Sequence, residues 1–196
     1  QTTLDDSALL AAMLAGYGIW TFGGWEWLVL PMILFLRGRV QHTLPDAAGP
    51  HFHHVDVVLS VAGPALGWVL LARLFGLPSL AFPFAIALAV HLGAFELTRL
   101  HESAIARSVV RAGLVCGARA WVLLFAPYVL LQRLDSLALE QAAWALPLIV
   151  LGVTGFFWTE HSAGKLPTTR RRWLDQAAWS VLVSLVAAAP LLLSWL

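Results

Sequence analysis

Residues 79–98 read SLAFPFAIALAVHLGAFELT, and their only ionisable side chains are His91 and Glu96. About 20 apolar residues in a helix cross a hydrocarbon layer, so this stretch predicts a transmembrane span. Further runs of the same kind lie at about 17–36, 55–74, 112–131, 138–159 and 173–196. Together the six predict an all-α bundle of transmembrane helices, forming one transmembrane domain over residues 1–196. Of the 196 residues 60% are hydrophobic and only 12% charged, with a mean hydropathy of +0.79. A soluble domain of this size could not cover so much apolar surface, so the lipid bilayer is the expected solvent. The first run is the least regular. It is punctuated by Gly18, Gly23 and Gly24 and carries Glu26, and a helix-start signal, Asp5-Asp6-Ser7, precedes it. One span with a short tilted lead-in is the expectation there.

The gaps between runs differ sharply in charge. The first, third and fifth hold Arg37 and Arg39; Arg99, Arg107 and Arg111; and Lys165, Arg170, Arg171 and Arg172. The second and fourth hold Arg73 and Arg133 alone, and Arg119 falls inside the fourth run. Lys and Arg are retained on the cytoplasmic side, which orients the chain in a cell membrane with both termini outside. That orientation collects His42, His51, His53, His54, His101 and His161 in or beside the cytoplasmic loops. The net charge of +1 argues against a nucleic-acid partner, which would need a basic stripe. A single cysteine, Cys116, rules out an internal disulfide and any multi-cysteine metal site.

Ionisable residues inside spans are costly and face a partner or a cavity. Glu96 and Arg119 fall at comparable depth on consecutive spans, so the expectation is an intramembrane ion pair between them. His91, Phe95, Thr98 and Glu102 share a helical face by their spacing, with His101 beside the last of them. His91, His101, Glu102, Glu160 and His161 lie toward the cytoplasmic ends of their spans and are the candidate ligands for a metal. Imidazole and carboxylate suit an ion such as iron. His51, His53 and His54 form a second, loop-borne group.

Three stretches resemble membrane-bound alkane hydroxylases, within the wider group of membrane desaturases and hydroxylases. Gly23-Gly24-Trp25-Glu26-Trp27, leading to Pro31, resembles the early glycine–tryptophan span of that family. His101-Glu102 resembles the start of its H-E-L-G-H box. Trp158-Thr159-Glu160-His161-Ser162-Ala163-Gly164 resembles its N-Y-x-E-H-Y-G segment. The resemblance implies a two-iron centre that inserts oxygen into C–H bonds of a lipid-like substrate. The chain departs from the pattern where Ser103-Ala104-Ile105 replaces the rest of the first box, and no histidine follows His161. Two functions are therefore expected. The first is a non-catalytic or assembly subunit held among other subunits of a membrane complex. The second is a metal-dependent membrane oxidoreductase acting on a lipophilic substrate at the cytoplasmic face.

The orientation is open to direct test. In intact cells expressing a Cys116-free chain, cysteine placed at Lys165 should resist a membrane-impermeant thiol reagent, and cysteine at Ser136 should react. The reverse pattern would move every histidine loop to the other face.

Overall fold

The structure, a computed structural model, describes residues 6–42, 55–102, 109–162 and 169–193. They form seven α-helices: α1 (Asp6–Gly23), α2 (Trp25–His42), α3 (Val55–Phe75), α4 (Ala81–Glu102), α5 (Val109–Leu131), α6 (Ser136–Ser162) and α7 (Thr169–Leu193). A short 3-10 turn, Pro78–Leu80, leads into α4. Five stretches are long and apolar enough to cross a membrane: Val58–Phe75, Pro78–Thr98, Val110–Leu131, Ser136–Glu160 and Arg171–Leu193. These match five of the six expected runs to within a few residues.

The first run departs from expectation. Residues 17–36 are not one continuous helix but are divided between α1 and α2 at Gly24. The Gly24 amide still donates to Trp20 O (2.9 Å), which closes the last turn of α1. Its φ of +86° then takes the chain off the helix axis, a conformation that glycine adopts cheaply. Gly23 serves the same break differently. A Cβ there would lie 2.7 Å from Trp27 Cγ, so only a bare α-carbon lets the first turn of α2 fold back so closely. The α3–α4 connection uses the same device. Gly76, at φ +65°, ends α3, and the Leu77 amide reaches back to Ala72 O at 2.9 Å. Pro78 then starts the 3-10 turn, where its missing N–H costs nothing.

α4 is the hub. Of the Pro78–Thr98 stretch 94% is buried, against 28–39% in the other four membrane-length stretches. α2, α3, α5, α6 and α7 all pack on it. This is why its sequence is apolar on every face rather than along one stripe. Lipid tails are as apolar as a leucine side chain, so in a bilayer helices associate through close packing of small residues instead of through the hydrophobic effect. The chain is built that way. Gly93 of α4 lies against Val153 of α6 and Ala120 of α5, and Gly113 and Gly117 of α5 abut Thr154 and Val150 of α6. Gly152 nests between Val90 and Val183, joining α4, α6 and α7.

Side-chain hydrogen bonds reinforce these seams. Trp68 Nε1 on α3 donates to Ser184 Oγ on α7 at 2.9 Å. Trp121 Nε1 on α5 donates to Ala142 O on α6, and Tyr128 Oη to Gln141 Oε1, both at 2.6 Å. α2 runs parallel to α4. The ring of Trp27 lies 4.9 Å from that of Phe84 near the start of both helices, and Arg37 meets Glu96 further along both.

Substitution of glycine should separate seam from surface. A Cβ at Gly117 would meet Val150 Cγ2 at 2.9 Å and its Cα at 3.3 Å, so Gly117→Val forces α5 off α6. A destabilisation of about 1–3 kcal/mol is expected, the usual cost of overpacking. Gly63→Ala meets nothing within 4 Å and should be neutral or stabilising by up to ~1 kcal/mol. Thermal unfolding of both variants in one detergent checks the contrast.

Candidate functional site

The polar residues of the hub gather toward its C-terminal end. Glu96 is only 4% exposed, because α4 offers no free side. An ionised carboxylate so placed requires a cation, and Arg37 of α2 supplies it. Arg37 Nε donates to Glu96 Oε1 at 3.0 Å, and the terminal Nη2 lies 3.0 Å from the same oxygen. Arg37 itself is about one-third exposed, so one partner stays within reach of the surface.

This corrects the expected pairing of Glu96 with Arg119. Depth was read correctly, since Gly93 of α4 lies against Cys116 and Ala120 of α5. Direction was not. α5 packs through Ala112, Gly113, Cys116, Gly117 and Ala120, and the turn of the helix carries Arg119 to the exposed side.

His91 is buried at 4% exposure, its ring stacked on Trp173 of α7 with centroids 6.1 Å apart and planes inclined by 15°. The backbone oxygen of His91 also accepts a hydrogen bond from Gln176 Nε2 at 2.8 Å. Gln176 is itself almost fully buried, and its own carbonyl accepts from Ser180 Oγ. His91 Nδ1 and Trp173 Nε1 are buried with no hydrogen-bond partner among the described residues.

One residue before Trp173, Arg172 Nε donates to Glu160 Oε1 at 2.8 Å and ties the end of α6 to the start of α7. Trp179 Nε1 donates to Thr159 Oγ1 (3.2 Å) along the same seam. The first turns of α7 are therefore a common platform, holding His91 of α4 on one side and Glu160 of α6 on another. Sequence reading missed this. It explained the run Arg170, Arg171 and Arg172 by topology and lipid contact alone, yet Arg172 has a particular carboxylate to hold.

The remaining candidates divide plainly. His101 and Glu102 end α4, and His161 stands next to last in α6, but their side chains lie outside the described residues, as do His51, His53 and His54 entirely. Among the described residues no three metal-capable side chains come together. Glu160 has an oxygen committed to Arg172, which competes with any cation for it. At the opposite end of the bundle Glu26, Trp27, Tyr128 and Gln132 line a cleft of about 30 Å³. Small-molecule sites begin at roughly 300 Å³, so this cleft is of water size. Comparison with protein families, with characterised proteins and with solved structures finds no match.

A pair of double-mutant cycles tests the corrected pairing. Glu96→Gln and Arg37→Gln should show a coupling energy of about 1–3 kcal/mol in thermal or denaturant unfolding. Glu96→Gln combined with Arg119→Gln should add within about 0.5 kcal/mol. Coupling to Arg119 and none to Arg37 would restore the pairing expected from sequence.

Proposed function

We propose that this chain is an integral protein of the cell membrane and serves as a non-catalytic or assembly subunit of a larger membrane complex. Five helices cross, and the α1–α2 pair supplies the sixth embedded element. The parallel course of α2 and α4 supports this, because alternate spans of one chain must run the same way. The end of α4 that carries Glu96 is the cytoplasmic end, where Arg37, Arg171 and Arg172 also lie.

A single observation carries the non-catalytic reading. The carboxylates of α4 and α6 are spent on joints between helices, Glu96 held by Arg37 and Glu160 by Arg172. The catalytic alternative needs acids and imidazoles presented to a substrate or a metal. Here the acids bind arginines of neighbouring helices, and the imidazole of His91 is packed flat on an indole.

Extraction of native membranes with a mild detergent, followed by native electrophoresis and metal analysis of the same band, tests the reading. The chain should migrate with other membrane polypeptides, well above the size of its own 21.3 kDa in detergent, and His101→Ala with His161→Ala should leave that band intact. A chain that migrates alone, with near-stoichiometric iron lost in the double variant, would instead establish the oxidoreductase.

A further inference from the structure

α5 has two unlike faces. Ala112, Cys116, Ala120 and Leu124 are buried against the rest of the bundle. Val115, Arg119, Val122, Ala126 and Leu130 recur at intervals of three and four and form an exposed stripe on the other side. Every member of the stripe except Arg119 is apolar. Arg119 is the tenth residue of the Val110–Leu131 stretch, which puts it ~14 Å along the axis from one end and ~18 Å from the other, at 1.5 Å per residue. In a hydrocarbon layer about 30 Å thick, that is close to the midplane.

A guanidinium at this depth is strongly disfavoured against lipid and normally faces a partner. Arg37, Arg171 and Arg172 each have a carboxylate within this chain. Arg119 makes no hydrogen bond or ion pair among the described residues, and its helix aims it away from the bundle.

We propose that the Arg119 stripe of α5 docks a different membrane protein, through a transmembrane helix that carries an aspartate or glutamate at midplane depth. The proposal rests on reading the chain as a subunit of a complex. A second copy does not fit the charge. Among the described residues the exposed acids Asp6, Glu26, Asp135 and Glu140 all lie within about two turns of a helix end, far from this depth, and Asp175 is paired with Arg171. Lipid phosphate does not fit the depth, because it lies half a bilayer away. Two valines and an alanine around Arg119 give the stripe low relief, over which a helix can approach closely enough for a direct carboxylate contact.

Site-specific photocrosslinking in native membranes tests this. The full chain would carry a photoreactive phenylalanine analogue at Val122, on the stripe, or at Leu185, exposed on α7. The Val122 probe should yield one crosslinked membrane protein, at a span bearing Asp or Glu. Arg119→Leu should lower that yield at least tenfold, and Arg119→Lys should retain most of it. The melting temperature of the purified Arg119→Leu chain should be unchanged or higher, because no intramolecular contact is lost.

A Val122 product that is a second copy of this chain, that is lipid alone, or whose yield ignores Arg119→Leu would overturn the proposal. So would a partner span without an acid, or a melting temperature that falls in Arg119→Leu. Protein crosslinks from Leu185 and none from Val122 would overturn the docking face and leave the subunit reading standing. No protein crosslink from either position, together with a chain that migrates alone, would overturn both.

Discussion

The structure depends on the enclosure of α4. A helix with neighbours on every side has no surface on which to place a polar group, so each one it carries must be met by another helix. Glu96 illustrates the consequence. Its carboxylate cannot turn to water or to a headgroup, and the bundle answers with Arg37 from α2. That answer is possible only because α2 runs parallel to α4, which in turn follows from the break at Gly23-Gly24. Were residues 17–36 one unbroken helix, α1 could not lie on α3 while α2 lay on α4 and α5. Two glycines in a poorly patterned segment thus decide whether a buried charge finds its partner.

The same logic organises α7. Its first turns carry Arg172, Trp173 and Gln176, which reach respectively the carboxylate of α6, the imidazole of α4 and the backbone carbonyl of that same histidine. Each contact replaces hydration that the group loses on burial, and together they lock α4, α6 and α7 at one end of the bundle. Further along, Gly152 lets α6 close on α4 and α7 without side chains between them. Polar joints at one end and glycine seams through the middle describe a rigid scaffold. This is the architecture expected of a subunit whose surface, rather than its interior, meets the rest of a complex.

Much of this fold could be read from the sequence, and the reason is physical. Apolar run length reports crossing length directly, so the runs at 55–74, 79–98, 112–131, 138–159 and 173–196 became α3 to α7 with ends moved by a few residues. Hydropathy says little about where a helix breaks, and residues 17–36 were read as one span although Gly23 and Gly24 were in plain view. It also fixes depth better than direction. Glu96 and Arg119 sit at similar depth, yet the angular position of Arg119 on α5 depends on which face packs, and the faces of α5 are both largely apolar. Arg37 was counted as a loop charge because it follows the last apolar residue, but one more helical turn brings it level with Glu96. The histidine-bearing motifs that resemble alkane hydroxylases do lie at helix ends, at His101-Glu102 on α4 and Glu160-His161 on α6. Their chemistry depends on side-chain convergence, which spacing along one chain does not determine.

The enclosure of α4 is measured most directly with a small carbene-generating diazirine that partitions into lipid and labels whatever the lipid touches. In the purified wild-type chain reconstituted in bilayers, mass spectrometry should find label on α5, α6 and α7, at positions such as Val122, Leu151 and Leu185, and none on α4 from Phe84 to Leu97. Label distributed along one face of α4 at helical spacing would contradict the account, because a hub with a lipid-facing side would not need Arg37 to receive Glu96.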